Sequence, residues 1–318
     1  MTSADWMPSA SFAVLHRRSE VLAKIRVFFA RKNVLEVETP ILSHACGTDP
    51  QSSHFVTVLE NPDRSHLYLQ TSPEFAMKRL LAAGSGPIYQ ICKSFRNGEM
   101  GRFHNPEFTL LEWYRVGFDH HALMDEMDEL LREVLICPYA ERVTYQTLFL
   151  RHVGVDPFQT TEQTLKTQAA SFGISEIQNI DKDGWLDVLM THCIVPHLGQ
   201  GGRPTFVYDY PASQAALAKI NLFGVAERFE VYFSGVELAN GFHELQDPLE
   251  QRRRFEQEQE QRQKSAFPPA ILDERFLESL KQGLPNCAGV ALGIDRLIMA
   301  LLKTNSLAEV MAFPINRA

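Results

Sequence analysis

Cysteine is sparse in this chain, and the few present are scattered. Cys46, Cys92, Cys137, Cys193 and Cys287 include no CxxC pair, which argues for reduced thiols and against both a disulfide frame and a zinc site. Long apolar runs are missing too, so no stretch can span a bilayer as a helix. Met1 to Ser11 contains Asp5 and Pro8 and has no basic stretch followed by an apolar core, so no signal peptide is visible and a cytoplasmic protein is expected. Positive charge is in deficit: the net charge of −8 gives no overall attraction to nucleic acid. No internal repeat, no low-complexity linker, and no P-loop or Rossmann glycine signature occurs. Any nucleotide must therefore be held by other means.

What is present is an ordinary globular composition, 45% hydrophobic and 22% charged over 318 residues, enough for one large domain or two of common size. Leu15, Leu22, Ile25 and Phe29 mark one face of a helix ending near Arg31. Val34 to Val37 reads as a short strand closed by Thr39-Pro40, and strands are expected at Phe55–Leu59 and Leu67–Gln70. In Thr71-Ser72-Pro73-Glu74, Ser72 suits a helix cap, Pro73 the first turn and Glu74 the positive helix end. That helix runs from Phe75 to Ala83 and stops at Gly84.

The most informative stretch is Ser94 to Arg115. An apolar run, Ile88 to Cys92, leads into a polar loop with Gly98, Gly101, Asn105 and Pro106, and an aromatic-rich run returns. Two antiparallel strands joined by a long loop are implied. Arg96, Arg102 and His104 lie in the loop and Phe108 opens the returning strand. Cations beside an aromatic ring suit a nucleotide, and suit a solvated surface hairpin equally well.

Further on, Leu123, Met127, Leu130, Leu131 and Val134 line a helix whose Asp125, Glu126, Asp128 and Glu129 read as a solvated face. Residues from about 138 to 204 read as a mostly helical insertion without chemical motifs, with His152, His192 and His197 structural. Thr205–Tyr208 and Phe229–Phe233 read as strands. In Ser234 to Leu245, Glu237 and Glu244 flank Gly241, and a glycine bend there would bring two carboxylates together as Mg²⁺ ligands; ordinary surface acids on a half-exposed strand are the other reading. Glu250 to Lys264 reads as an exposed charged helix ended by Pro268-Pro269. Last come Gly289-Val-Ala-Leu-Gly-Ile-Asp-Arg296 and an apolar run, read as a strand, a glycine turn and a buried helix with Arg296 in its first turn.

Together these pieces resemble the catalytic core of class II aminoacyl-tRNA synthetases. Pro40 matches their motif 1. Phe95-Arg96, the run His104-Asn-Pro-Glu-Phe-Thr109 and Glu112 match motif 2, and Gly289 to Arg296 matches motif 3. The wording of 71–74, 104–109 and 237–245 is that of the lysyl branch. The resemblance implies an α+β fold over residues 12–318, a mostly antiparallel sheet flanked by helices, and a homodimer built through motif 1. Only about a dozen residues precede the first helix, so the N-terminal OB-fold barrel that reads the anticodon is not expected. This is similar to the truncated paralogues of the branch, which transfer (R)-β-lysine to a lysine of elongation factor P. Ala291, where lysyl-tRNA synthetases have the middle glycine of motif 3, agrees with a changed amino-acid pocket. A barrel-less enzyme charging tRNA, and a non-catalytic sensor of amino acid or ATP, are the alternatives.

The resemblance also implies roles. Arg96 would stabilise the α-phosphate, and His104 and Arg296 would hold the outer phosphates. Phe108 would stack on adenine, with Asn97, Gly98, Asn105, Leu238 and Gly293 around the nucleotide. Glu237 and Glu244 would carry Mg²⁺. Ser72, Pro73, Glu74, Glu244 and Ala291 would line the amino-acid site, Glu74 binding the backbone-side ammonium, and Tyr114, with Glu250, would recognise the side-chain amine. The lysyl branch has Arg-Asn-Glu in motif 2 where this chain has Arg96-Asn97-Gly98, with Glu99 following. No general base for transfer to the acceptor lysine is evident.

Overall fold

The structure, a computed structural model, describes residues 6–50, 52–60, 64–174, 177, 180–264, 268 and 270–318. In chain order the elements are α1 (Phe12–Arg31), β1 (Leu35–Glu36), β2 (Leu42–Ser43), β3 (Val56–Val58), β4 (His66–Leu69), α2 (Glu74–Ala82), β5 (Ile88–Phe95) and β6 (Glu107–Val116). Next come α3 (His120–Leu135), β7 (Glu141–Thr144), α4 (Tyr145–His152), α5 (Glu162–Ser171), α6 (Lys182–Leu189), β8 (Thr205–Pro211), β9 (Val225–Phe233) and β10 (Val236–His243). The chain ends with α7 (Pro248–Lys264), α8 (Glu274–Gly283), β11 (Cys287–Gly293) and α9 (Ile294–Leu302). Two compact units are formed, Met1–Phe118 with Leu245–Ala318, and Asp119–Glu244. Among the described residues no helix is long and apolar enough to cross a membrane.

In the first unit the strands run in the order β1-β5-β6-β11. β5, β6 and β11 are antiparallel neighbours, and β1 joins β5 in parallel. Helix α1 starts at Ser11, whose hydroxyl accepts from Val14 N–H, and it buries Val21, Ile25, Phe28 and Phe29. The Phe29 ring stacks on Tyr89 of β5 at 4.4 Å and meets Trp113 of β6 edge-on at 5.3 Å. Successive strand side chains alternate between faces, so α1 covers the face that carries Leu111 and Trp113. Phe108, Leu110, Glu112 and Tyr114 are left for the other face. A smaller antiparallel sheet, β2-β4-β3, belongs to the same unit.

Three expectations fail in this unit for physical reasons. Pro73, not Ser72, occupies the cap position of α2, while Ser72 Oγ accepts from Glu74 N–H at 3.0 Å. α7 is not a solvated charged rod: Gln251, Arg254, Phe255 and Arg262 are buried. Arg262 donates to the carbonyls of Asp49, Ser52 and Pro268, so a guanidinium serves as a buried tie between segments. Pro269, expected to help end α7, lies outside the described residues. Finally, β11 runs without a turn into α9, and neither Gly289 nor Gly293 has a positive φ.

In the second unit the order is β10-β9-β8-β7, antiparallel except for the parallel pair β7–β8. β7 and α4 to α6 fall within residues 138–204. Tyr145, Phe149, Leu165, Trp185, Leu186 and Leu189 pack with Val207, Ala226 and Tyr232 into one core. The His152 and His197 rings stack at 4.9 Å, a packing role. Helix α3 packs on β9 and β10 through the apolar face read from its spacing. Its acids are not all solvated, however: Glu126 and Asp128 are buried, and Asp128 Oδ1 accepts from Ala140 N–H at 3.0 Å.

Candidate active site

The hairpin β5–β6 and the junction of β11 with α9 build the site of the first unit. β11 pairs with β6 so that Gly293 faces Leu110, Ala291 faces Glu112 and Gly289 faces Tyr114. Two of the three positions opposite the long side chains of β6 are thus glycines, which leaves open space above the sheet.

At the loop end, Arg296 in the first turn of α9 donates through Nη2 to Nε2 of His104 at 2.9 Å and through Nε to the Phe103 carbonyl at 3.2 Å. Residues 192 apart in sequence are joined because Asp295 is anchored. Its Oδ2 accepts from Thr109 N–H at 2.7 Å and its Oδ1 from Arg18 at 2.6 Å. Burial, then the Arg296 charge, hold the His104 pKa below its ordinary value, in keeping with a neutral ring that accepts from arginine. The Arg96 guanidinium lies 5.2 Å from the Phe108 ring centroid, with the Glu99 carboxylate at 3.7 Å. A flat cation on a ring, beside a second arginine, is an arrangement able to hold a planar base and an anionic chain.

Gly98 has φ +84°, in the left-handed region that favours glycine. The missing motif 2 glutamate at this position therefore goes with a turn, and Glu99 turns its carboxylate to Arg96. Asn97 N–H donates to the Ser53 carbonyl at 3.0 Å. Asn105 is engaged by the protein itself, donating to the Glu107 carbonyl and accepting from Ile315 N–H.

At the other end, Glu112 is the centre. Ser72 Oγ donates to it at 2.9 Å and Tyr114 Oη at 2.7 Å. Nearby, Lys78 Nζ donates to Glu74 Oε1 at 2.6 Å, with Lys78 wholly buried. Burial chiefly, then repulsion from Glu74, push the Glu112 pKa up to about 8 against the pull of Tyr114, Ser72 and Lys78. Glu74 is balanced by Lys78 and Glu112 holds its proton, so an entering ammonium group would favour the ionised form of Glu112 and gain a carboxylate partner. Glu250 is held by Arg253 and Arg254 and not by Tyr114, and the Arg253 hydrogen bond leads in bringing its pKa down to about 2. Sequence reading missed Lys78, whose only signal is its i,i+4 spacing from Glu74, and it used Glu112 merely as a motif marker.

Glu237, Leu238 and Glu244 belong to the second unit. No bend occurs at Gly241, which pairs with Phe229 inside a continuous strand. On a regular strand, residues seven apart face opposite ways. Here Glu237 pairs with Tyr232 and Ala239 with Val231, so Leu238 is the extra residue of a bulge, and the bulge reverses the alternation. Glu237, Asn240 and Phe242 thereby share the face of Arg228, Glu230 and Tyr232, and Glu244 follows at the same parity just past the strand, bridged to Ala218. Glu244 is 1% exposed. Two oxygen-donor side chains aligned on one face suit a hard divalent cation.

The model of the class II tRNA synthetases (D, K and N) matches residues 3–317. A Vibrio cholerae protein named elongation factor P–(R)-β-lysine ligase is 55% identical, covering all of both chains. Proteins of the same name from Vibrio atlanticus and Salmonella typhi are 54% and 51% identical over 99% of each chain.

Proposed function

The chain belongs to the class II tRNA synthetases (D, K and N), and from that premise we infer that it is an ATP-dependent ligase joining (R)-β-lysine to a lysine side chain of elongation factor P. The relatives' printed names and their full-length similarity support the substrates. The single observation that carries the chemistry is the Arg296–His104 contact beside Arg96 and Phe108.

In the first step a carboxylate oxygen of β-lysine attacks the α-phosphorus of ATP, the bond to the bridging oxygen breaks, and pyrophosphate leaves. Arg96 stabilises charge on the α-phosphate, and Arg296 with His104 holds the outer phosphates. Phe108 stacks on the base, where Asn97 and Gly98 contribute backbone. Glu74 and Tyr114, gathered with Ser72 about Glu112, bind the ammonium groups. Catalysis is positioning plus electrostatic stabilisation. Glu237 and Glu244 would hold Mg²⁺, which supplies charge neutralisation on the phosphates when bound. In the second step the ε-amine of the acceptor attacks the adenylate carbonyl carbon, AMP leaves, and the amine gives up a proton as the amide forms. A cytoplasmic homodimer that does not read anticodons completes this reading; the reduced thiols and the net charge of −8 are in keeping with it.

The test is ATP–pyrophosphate exchange with β-lysine, followed by mass spectrometry of elongation factor P after incubation with ATP and β-lysine. Arg296→Ala should lower exchange by about 10²–10³-fold with an unchanged circular dichroism spectrum. Wild-type exchange in that variant refutes the role of Arg296, and bulk tRNA charged in place of the protein acceptor refutes the reading as a whole.

A further inference from the structure

A cluster in the second unit takes no part in this reaction. His120 in the first turn of α3, Glu227 of β9 and His243 at the end of β10 place one ligand atom each within 4.8 Å of one another. Phe242 pairs with Arg228, so the next residues, His243 and Glu227, face the side opposite Arg228 and Glu237. Nδ1 of His243 is hydrogen-bonded to Glu227 Oε2. The backbone of Lys219 fixes both, donating to the His243 carbonyl at 2.8 Å and accepting from Glu227 N–H at 2.9 Å.

His120 completes the group and points to a ligand independently. It is 5% exposed, yet neither ring nitrogen has a hydrogen-bond partner, an expensive state for a buried polar ring. Asp209 Oδ1 lies 3.6 Å from its Nε2, too far for a hydrogen bond. Asp209 is the extra residue of a β8 bulge between Tyr208 and Tyr210, with φ +62°, and bulges re-aim side chains in this way.

We propose that His120, Glu227 and His243, with Asp209 as the fourth ligand, form a site for a divalent transition-metal ion of the zinc class. Two imidazoles and two carboxylates are a borderline donor set that suits Zn²⁺ and not the all-oxygen preference of Mg²⁺. One ligand from each of α3, β8, β9 and β10, with no position left for substrate, makes the ion a clamp and not a catalyst. Glu227 is hydrogen-bonded to His243 Nδ1, and Lys219 Nζ lies 3.2 Å from His243 Nε2. A divalent ion at Nδ1 takes the place of the hydrogen there, which moves to Nε2, and repels the nearby Lys219 ammonium. Lys219 thereby opposes the metal, and its removal should favour binding.

The experiment is calorimetric titration of chelator-treated full-length protein with ZnCl₂ in excess Mg²⁺, which masks Glu237 and Glu244, together with the visible spectrum of the Co²⁺-loaded protein. One Zn²⁺ per chain, a tetrahedral Co²⁺ spectrum and a raised Tm are expected. His120→Ala and His243→Ala should weaken binding by about 100-fold, and Lys219→Met should strengthen it severalfold. If the histidine variants fail to fold, Glu227→Gln and Lys219→Met carry the test. Absence of micromolar Zn²⁺ uptake, or uptake indifferent to these substitutions, overturns the proposal.

Discussion

Ala291 stands directly across the β6–β11 ladder from Glu112, the carboxyl group about which Ser72 and Tyr114 converge. Its methyl group is therefore the one side chain in the Gly289-Ala291-Gly293 series, and it sits opposite the proposed ammonium site. Ala291→Gly should shift pyrophosphate exchange toward α-lysine, raising the α-to-β ratio of kcat/KM by about 5- to 100-fold, the equivalent of ~1–3 kcal/mol for one methyl group. The two substrates are compared on the same preparation. An unaltered ratio would make Ala291 a packing residue.

Glu112 gives stability a pH dependence of defined sign. Its pKa in the folded protein, about 8, lies above the ordinary value of 4.5, so the folded state binds the proton more tightly. The contribution is complete below about pH 4.5 and is lost as pH rises through about 8. Wild-type Tm should fall between pH 5 and 8.5 by several degrees more than that of Glu112→Gln, which carries no titrating group there. Parallel curves from differential scanning calorimetry would remove Glu112 from the account.

Gly98 isolates a backbone effect. A Cβ built there meets nothing within 4 Å, so the obstacle to a substitution is φ +84°. Gly98→Ala and Gly98→Glu should each cost about 1 kcal/mol in urea denaturation. Restoring the family's glutamate should thus weaken the fold without tightening ATP binding. Wild-type stability in both variants would show that the turn does not need glycine.

The elements were legible where one period dominated. The apolar faces of α1 and α3, the β5–β6 hairpin, and Arg296 in the first turn of α9 all followed from spacing and punctuation. What stayed hidden were features set by tertiary partners. No local pattern distinguishes buried Arg262 or Asp128 from a solvated charge, since each is buried only because distant carbonyls or amides meet it. Lys78 looked like one more helix lysine until Glu74 and Glu112 gave it a closed, acidic surrounding. The motifs marked strands, but only register told which side chains share a face.

Register also decides the last prediction. A bend at Gly241 was the sequence-based route to pairing Glu237 with Glu244; the structure pairs their faces through the bulge at Leu238 instead. Glu230 shares that face but is committed, accepting from Arg228 and from Tyr232 Oη. The two kinds of acid should therefore separate. Glu237→Gln should raise the Mg²⁺ concentration for half-maximal pyrophosphate exchange by about tenfold or more. Glu230→Gln should leave the Mg²⁺ requirement alone and lower stability by about 1–3 kcal/mol, because it weakens charge-assisted bonds to a half-buried arginine and a buried tyrosine. Titration of MgCl₂ at saturating ATP, with thermal melts of the same samples, reads both effects. Equal Mg²⁺ requirements in the two variants would show that the bulge does not create a metal-binding face.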